Sequence, residues 1–156
     1  MDLYCYTSLD HMHDVIHYGR FIFLYCKFRD KQFALYDKYA KRHGMLVKTL
    51  LVVNVLYYDD FYDKGGVTQT EICQRTFQSK QTVNLIIRNL SKEGYVTVER
   101  RKENKREKLV RITEEGKKYC EKVVRHITRA ENTTISMFSQ EKQKQLIALS
   151  RTFTKI

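Results

Sequence analysis

The 156-residue chain contains no proline, and only six glycines interrupt it. Proline and glycine are the strongest local breakers of regular backbone, so their scarcity leaves little to end a helix and predicts a mainly α-helical chain. Cysteine is sparse: Cys5, Cys26, Cys73 and Cys120 lie far apart without a C-x-x-C pair. That spacing suits a reducing compartment and argues against a disulfide framework or a zinc ribbon. Cys73 and Cys120 fall on apolar helical stripes and read as packing residues. No apolar run approaches the roughly 18 residues of a membrane-spanning helix; the best, Met45 to Tyr58, is broken by Lys48 and Asn54. A secretion signal is not apparent either, because Asp2 and Asp10 stand where positive charge is needed and His11, His13 and Asp14 interrupt any apolar core. The expectation is a cytoplasmic protein that engages no membrane. No nucleophile elbow, P-loop or H-E-x-x-H stands in the sequence, and Cys120 and His126, six residues apart on a helix, project to different faces. An enzyme is not expected.

What the chain has in excess is positive charge. Lys and Arg number 29 against 18 Asp and Glu, a formal net charge of +11. Such an excess biases a small protein towards polyanions. Between Arg75 and Arg111, 37 residues carry eleven basic and four acidic side chains, a net +7 of the total. The basic residues cluster in a polar hairpin rather than beside an exposed apolar helical face, which favours nucleic acid over a membrane surface. At this length the options are a single domain or an intertwined dimer.

Apolar residues from Leu9 to His43 recur at three- and four-residue steps, predicting one long helix ended by Gly44. Its first half is apolar almost all round, as in a helix covered by a second chain. Met45 to Tyr62 reads as a second helix, broken by Asp63, Lys64, Gly65 and Gly66. Thr68 with Glu71 forms a capping box that opens a short helix to about Thr76, and Ser79 caps another running to about Glu93. This is a helix-turn-helix arrangement. Gly94 ends the second of these helices, Tyr95 to Glu99 and Lys108 to Ile112 alternate as strands do, and Arg101 to Glu107 is a charged turn between them. Thr113 and Ser139 cap two further helices. The division is a dimerisation region over 1-44, a DNA-binding lobe over 45-112 and dimerisation helices over 113-156, so the fold class is mainly α with a small β-hairpin wing.

Within the helix from Ser79, the residues Val83, Ile86, Ile87 and Leu90 form one apolar face, opposite Gln81, Asn84, Leu85 and Arg88. Asn and Gln match the adenine edge in the major groove and Arg matches guanine, while Thr82 or Leu85 suits a thymine methyl. The hairpin tip, with Arg100, Arg101, Lys105 and Arg106, is placed to reach the adjoining minor groove, and Arg106 is the expected insert there. An RNA-binding or protein-binding winged helix without an operator is the competing reading; splayed RNA bases call for exposed aromatic side chains on the reading face, and that face has none.

These residues, Thr68-Gln69-Thr70-Glu71-Ile72, Ser79-Lys80-Gln81-Thr82-Val83, Leu90-x-x-x-Gly94-Tyr95-Val96, Asn104-x-Arg106 and Leu109 to Gly116, resemble the winged helix-turn-helix of the multiple antibiotic resistance regulator (MarR) family. The resemblance covers about Met45 to Cys120 by motif and the whole chain by element order. It implies a bacterial homodimeric transcription factor, usually a repressor, gripping a pseudo-palindromic operator in double-stranded DNA. It further implies DNA contacts from Thr68, Thr70, Ser79, Lys80, Gln81, Thr82, Asn84, Arg88 and the wing, and release of DNA by a small molecule, a metal or an oxidant. The chain departs from the family pattern at Asn104, where Asp is usual, and at Phe77 and Gln78, where a small and an aliphatic residue are common. It departs also at Phe21, which occupies the place of the peroxide-sensing cysteine.

No cofactor is required by this reading, although two effector sites merit a test. His11, His13 and His17 have spacing that suits zinc. Tyr36, Tyr39, Tyr57 and Tyr58, with Phe61 and Tyr62 nearby, are candidates to line a pocket for a small aromatic effector.

Overall fold

A computed structural model describes residues 9–61, 65–100 and 108–155; the side chains of residues 9–18 and of residue 61 lie outside that description. The chain divides into two compact units, Met1–Val47 and Lys48–Ile156. In the first, α1 (Leu9–Arg42) is the single long helix that the unbroken apolar periodicity predicts. It closes where the Met45 amide donates to the Ala40 carbonyl at 3.1 Å. Phe21, Phe23, Phe28, Phe33 and Leu35 along it are all more than half exposed.

The second unit runs α2 (Val47–Phe61), β1 (Val67–Thr68), α3 (Gln69–Thr76), α4 (Lys80–Lys92), β2 (Val96–Arg100), β3 (Lys108–Ile112), α5 (Glu114–Ser136) and α6 (Gln140–Phe153). Each predicted cap is present: the Ser79, Thr113 and Ser139 hydroxyls accept from the amides of Thr82, Gly116 and Lys142. Such caps satisfy amides that the first helical turn leaves without partners. Gly94 sits at φ +77° just past α4. There its amide donates to the Ser91 carbonyl and the Tyr95 amide to the Leu90 carbonyl, the paired bonds of a Schellman ending.

The sheet corrects the expectation of a bare hairpin. It has three antiparallel strands in the order β1-β3-β2, with Val67 opposite Val110 and Thr68 opposite Leu109. A strand of two residues has no alternation to read, and it forms because α3 starts directly beside β3. Pairing of β2 with β3 runs from Val96 opposite Ile112 to Arg100 opposite Lys108. The charged turn from Arg101 to Glu107 falls outside the described residues.

Val52, Val53 and Leu56 of α2, Ile72 of α3, Val83, Ile87 and Leu90 of α4, and Val96 and Val110 of the sheet make one buried cluster. Cys120 and Val124 of α5 belong to the same cluster, so the core of the lobe continues past residue 112. The Lys117 ammonium, 3.1 Å from both Asp60 and Glu114, adds a partly exposed tie between α2 and α5. Beyond Val124 the picture reverses: Met137, Phe138, Leu146, Ile147 and Leu149 are exposed. No described helix is long and apolar enough to cross a membrane.

Candidate nucleic-acid interface

The interface begins with two helices held by local chemistry. At the start of α3 the Thr68 amide and hydroxyl both donate to Glu71 Oε2 at 2.8 Å, and the Glu71 amide donates to Thr68 Oγ1 at 3.1 Å. Thr68 is only 5% exposed. Its hydroxyl is engaged inside the cap, which gives Thr68 a part in positioning α3. Thr70, the second residue of the same helix, is exposed.

In α4 the apolar face is buried through Val83, Ile86, Ile87 and Leu90, which turns Lys80, Gln81, Asn84, Leu85 and Arg88 outward. Among the described residues no salt bridge engages Lys80 or Arg88, leaving their charges for a ligand. Ser79 and Thr82 share a hydroxyl contact of 2.9 Å, and Ser79 Oγ also accepts from the Thr82 amide. These two residues shape the entry of the helix while remaining at the surface. Arg75 differs from its basic neighbours, since its guanidinium lies 3.9 Å from the buried Asp59 carboxylate.

The wing base adds more positive charge. Arg100 and Lys108 stand directly opposite each other across β2 and β3, and both are exposed. Like charges in facing positions repel and destabilise a strand pair, a cost that a bound polyanion removes. Arg101, Lys105 and Arg106 lie outside the described residues.

Between α3 and α4 the structure shows what Phe77 and Gln78, two departures from the family pattern, do in the turn. Gln78 turns inward, its amide Nε2 donating to the Lys48 carbonyl of α2 at 2.9 Å, while Oε1 is buried with no hydrogen-bond partner among the described residues. Phe77 turns outward with φ 53° and ψ 31°, and it is 96% exposed. It is the one non-glycine residue at positive φ among those described. The left-handed conformation costs an ordinary L-residue about 1–2 kcal/mol, which glycine avoids. Phe77 thus puts an exposed aromatic ring in the turn before α4, whose outward residues include no aromatic. Its departure from a small residue was the available signal.

A capped helix pair, a third helix under it and a three-stranded sheet with a cationic hairpin form a winged helix-turn-helix. Residues 61–107 match the model of the MarR family. Over that stretch the lobe is similar to MarR-family winged helices. Solved structures agree over the wider fold. Staphylococcus aureus MepR in complex with DNA is 20% identical with a TM-score of 0.68, covering 86% of this chain and 96% of that one. NMB1585, a MarR family regulator from Neisseria meningitidis, is 20% identical with a TM-score of 0.68, covering 91% and 92%. The transcriptional regulator PcaV from Streptomyces coelicolor, in complex with its natural ligand, is 18% identical with a TM-score of 0.63, covering 84% and 89%. Against curated protein sequences the chain finds no match.

The residues considered for an effector are distributed over both units. Tyr36 and Tyr39 are half-buried on α1, in the first unit. Tyr57 and Tyr58 are half-buried on α2 of the second unit, packed edge to face at 5.7 Å, with the Tyr58 hydroxyl 3.0 Å from Thr128 Oγ1. A cleft of about 610 Å³ runs beside Tyr57, bordered by Arg125, Thr128, Arg129 and Thr133 of α5. His11, His13 and His17 fall where side chains are outside the described residues. Among the described residues no group of His, Cys, Asp or Glu is arranged to hold a metal. Cys120 is 2% exposed, and burial pushes its thiol up to about 12. A thiol so raised stays protonated at neutral pH and is a poor nucleophile, as expected of a packing residue.

Proposed function

We propose that this protein is a MarR-type transcriptional regulator, a cytoplasmic homodimer that binds a pseudo-palindromic operator and acts as a repressor. One observation carries the reading: the outward face of α4 presents Gln81, Asn84 and Arg88, and it adjoins a wing base where Arg100 faces Lys108. Amide and guanidinium groups match base edges in the major groove, and the cationic wing matches phosphate or a narrow minor groove. Thr70 and Lys80 flank this face as phosphate contacts, and Arg101, Lys105 and Arg106 extend it along the duplex.

Dimerisation is supported by the exposed apolar side chains of α1 and α6, among them Phe23, Phe28, Leu35 and Leu149, each more than 60% exposed. Two copies present two α4 helices, which must lie about 34–36 Å apart to enter successive major grooves. A ligand that alters this spacing releases DNA, and the signals of this reading are a small aromatic molecule in the cleft beside Tyr57 or zinc at His11, His13 and His17. Similarity to the ligand-bound PcaV fold favours the small molecule of the two.

The test is fluorescence anisotropy of a labelled duplex from upstream of the coding sequence, at two salt concentrations and against unrelated DNA. Preference for the upstream duplex by about 10³-fold, weakening steeply with salt, is expected of a specific regulator. Binding without sequence preference to this duplex and to genomic fragments overturns the operator reading in favour of an interaction module.

A further inference from the structure

We propose that Phe77 is a DNA-contacting residue, its ring packing on the apolar edge of the major groove next to the bases read by α4. The inference rests on the reading of the lobe as a DNA-binding module and adds a contact of a different chemical kind.

Three observations lead to it. The ring is 96% exposed, although a free aromatic side chain in water gains nothing for the folded lobe. It is held there by backbone geometry, because Phe77 occupies the left-handed C-cap of α3 at φ 53°. On the following residue the Gln78 amide is anchored to the Lys48 carbonyl, so the turn is fixed from below and its outward residue has a defined direction. Strain retained at a defined position is a mark of a functional residue when the surrounding structure over-determines it.

Location selects the occupant. Phe77 stands two residues before the Ser79 cap of α4 and three before the exposed Lys80, and Gln81 and Leu85 are exposed farther along the same helix. A polyanion drawn to that surface brings its major groove to the ring. The apolar groups available there are the thymine C5-methyl and the deoxyribose carbons, and an aromatic ring packs on either. Leu85, 49% exposed on α4, is a second apolar side chain outside the buried face of that helix.

This contact has a signature that a charged contact lacks. Neutralising a phosphate releases counterions and steepens the salt dependence, whereas burying an apolar ring does not. Phe77→Asn keeps a residue that tolerates the left-handed conformation and removes the ring. Its melting temperature should therefore equal or exceed that of the unaltered protein. Binding to the upstream duplex should weaken about ten-fold, the effect of partly exposing a phenyl side chain, with the slope of log affinity against log salt unchanged. Phe77→Leu, still apolar, should retain most of the affinity. Replacing single thymines by deoxyuridine in the duplex identifies the source: a matching loss that Phe77→Asn does not deepen marks the methyl group, and no effect at any thymine marks the sugar.

Full affinity in Phe77→Asn overturns the proposal, as does a changed salt slope. So does a loss confined to single-stranded DNA or RNA, which would make the ring a stacking platform for splayed bases. If the unaltered protein shows no sequence preference at all, the operator reading fails instead, and the two failures are told apart by that control.

Discussion

Replacing Gly116 by alanine tests how tightly α5 is docked to the lobe. A Cβ at this buried position runs into the Tyr95 carbonyl group, with the carbonyl carbon at 2.8 Å and Ile112 Cγ1 at 2.9 Å. Tyr95 cannot withdraw easily. Its amide donates to the Leu90 carbonyl at 2.9 Å, its carbonyl accepts from the Thr113 amide at 3.0 Å, and its ring stacks on Tyr119 at 4.3 Å with planes 7° apart. Forcing one methyl group into a packed contact costs about 1–3 kcal/mol. Losing the Thr113 to Tyr95 hydrogen bond adds about 1 kcal/mol. Alanine in a helix returns roughly 0.5–1 kcal/mol relative to glycine. The balance is a destabilisation of about 2 kcal/mol, or roughly 4–8 °C in melting temperature for a chain of this size. Circular dichroism melts at one fixed protein concentration measure it, the concentration being fixed because an oligomer's melting point depends on it. Lys118→Ala, two residues along on an exposed position, is the control and should move stability by no more than about 0.5 kcal/mol. A Gly116→Ala protein as stable as the original would refute the view that Tyr95 and α5 share one rigid contact.

At the interface, Arg88→Ala should weaken operator binding by about 1–3 kcal/mol and relax sequence preference, while Lys80→Ala should weaken binding to all sequences alike and lower the salt slope by about one; anisotropy titrations distinguish the two. Thr68→Ala removes the hydroxyl half of the capping box, keeps the backbone amide bond to Glu71, and should cost about 1 kcal/mol in chemical denaturation. Alkaline pH should destabilise the lobe. Burial raises Cys120 from 9.0 to about 12 and Tyr119 from 10.0 to about 12. Below pH 9 both groups keep their protons whether folded or not, so stability is full; above it the unfolded chain releases protons first, and stability falls through about pH 12. In Cys120→Ala, melting curves taken across this range should lose the part of the decline that begins near pH 9 and keep the part that begins near pH 10. Phe28→Asp combined with Leu149→Asp should convert a dimer into a monomer in analytical ultracentrifugation, and an unchanged sedimentation coefficient would place the subunit contact elsewhere.

Local chemistry made most of the lobe legible. Thr68 with Glu71, Ser79 with Thr82, and Thr113 with Gly116 are pairs three residues apart, so the sequence alone located the starts of α3, α4 and α5. The same is true of the α4 faces, because a 3.6-residue period places Val83, Ile86, Ile87 and Leu90 together and leaves Gln81, Asn84 and Arg88 on the other side. The surplus of positive charge between Arg75 and Arg111 could also be counted directly.

Contacts between distant segments were decided only by the tertiary structure. Strand β1 exists because Val67 meets Val110, 43 positions away, and nothing in two residues announces a strand. Phe77 stands out in the sequence only as an unusual residue for that turn, and its outward ring at positive φ goes with Gln78 finding the Lys48 carbonyl 30 positions back. Gly116 is needed because the Tyr95 carbonyl passes against it, not because of its own backbone angles. Helix periods and caps are set by neighbours three or four residues apart. A strand partner, a buried hydroxyl or a strained turn depends on which remote backbone group arrives beside it, and that is settled only when the core of α2, α3, α4 and α5 closes.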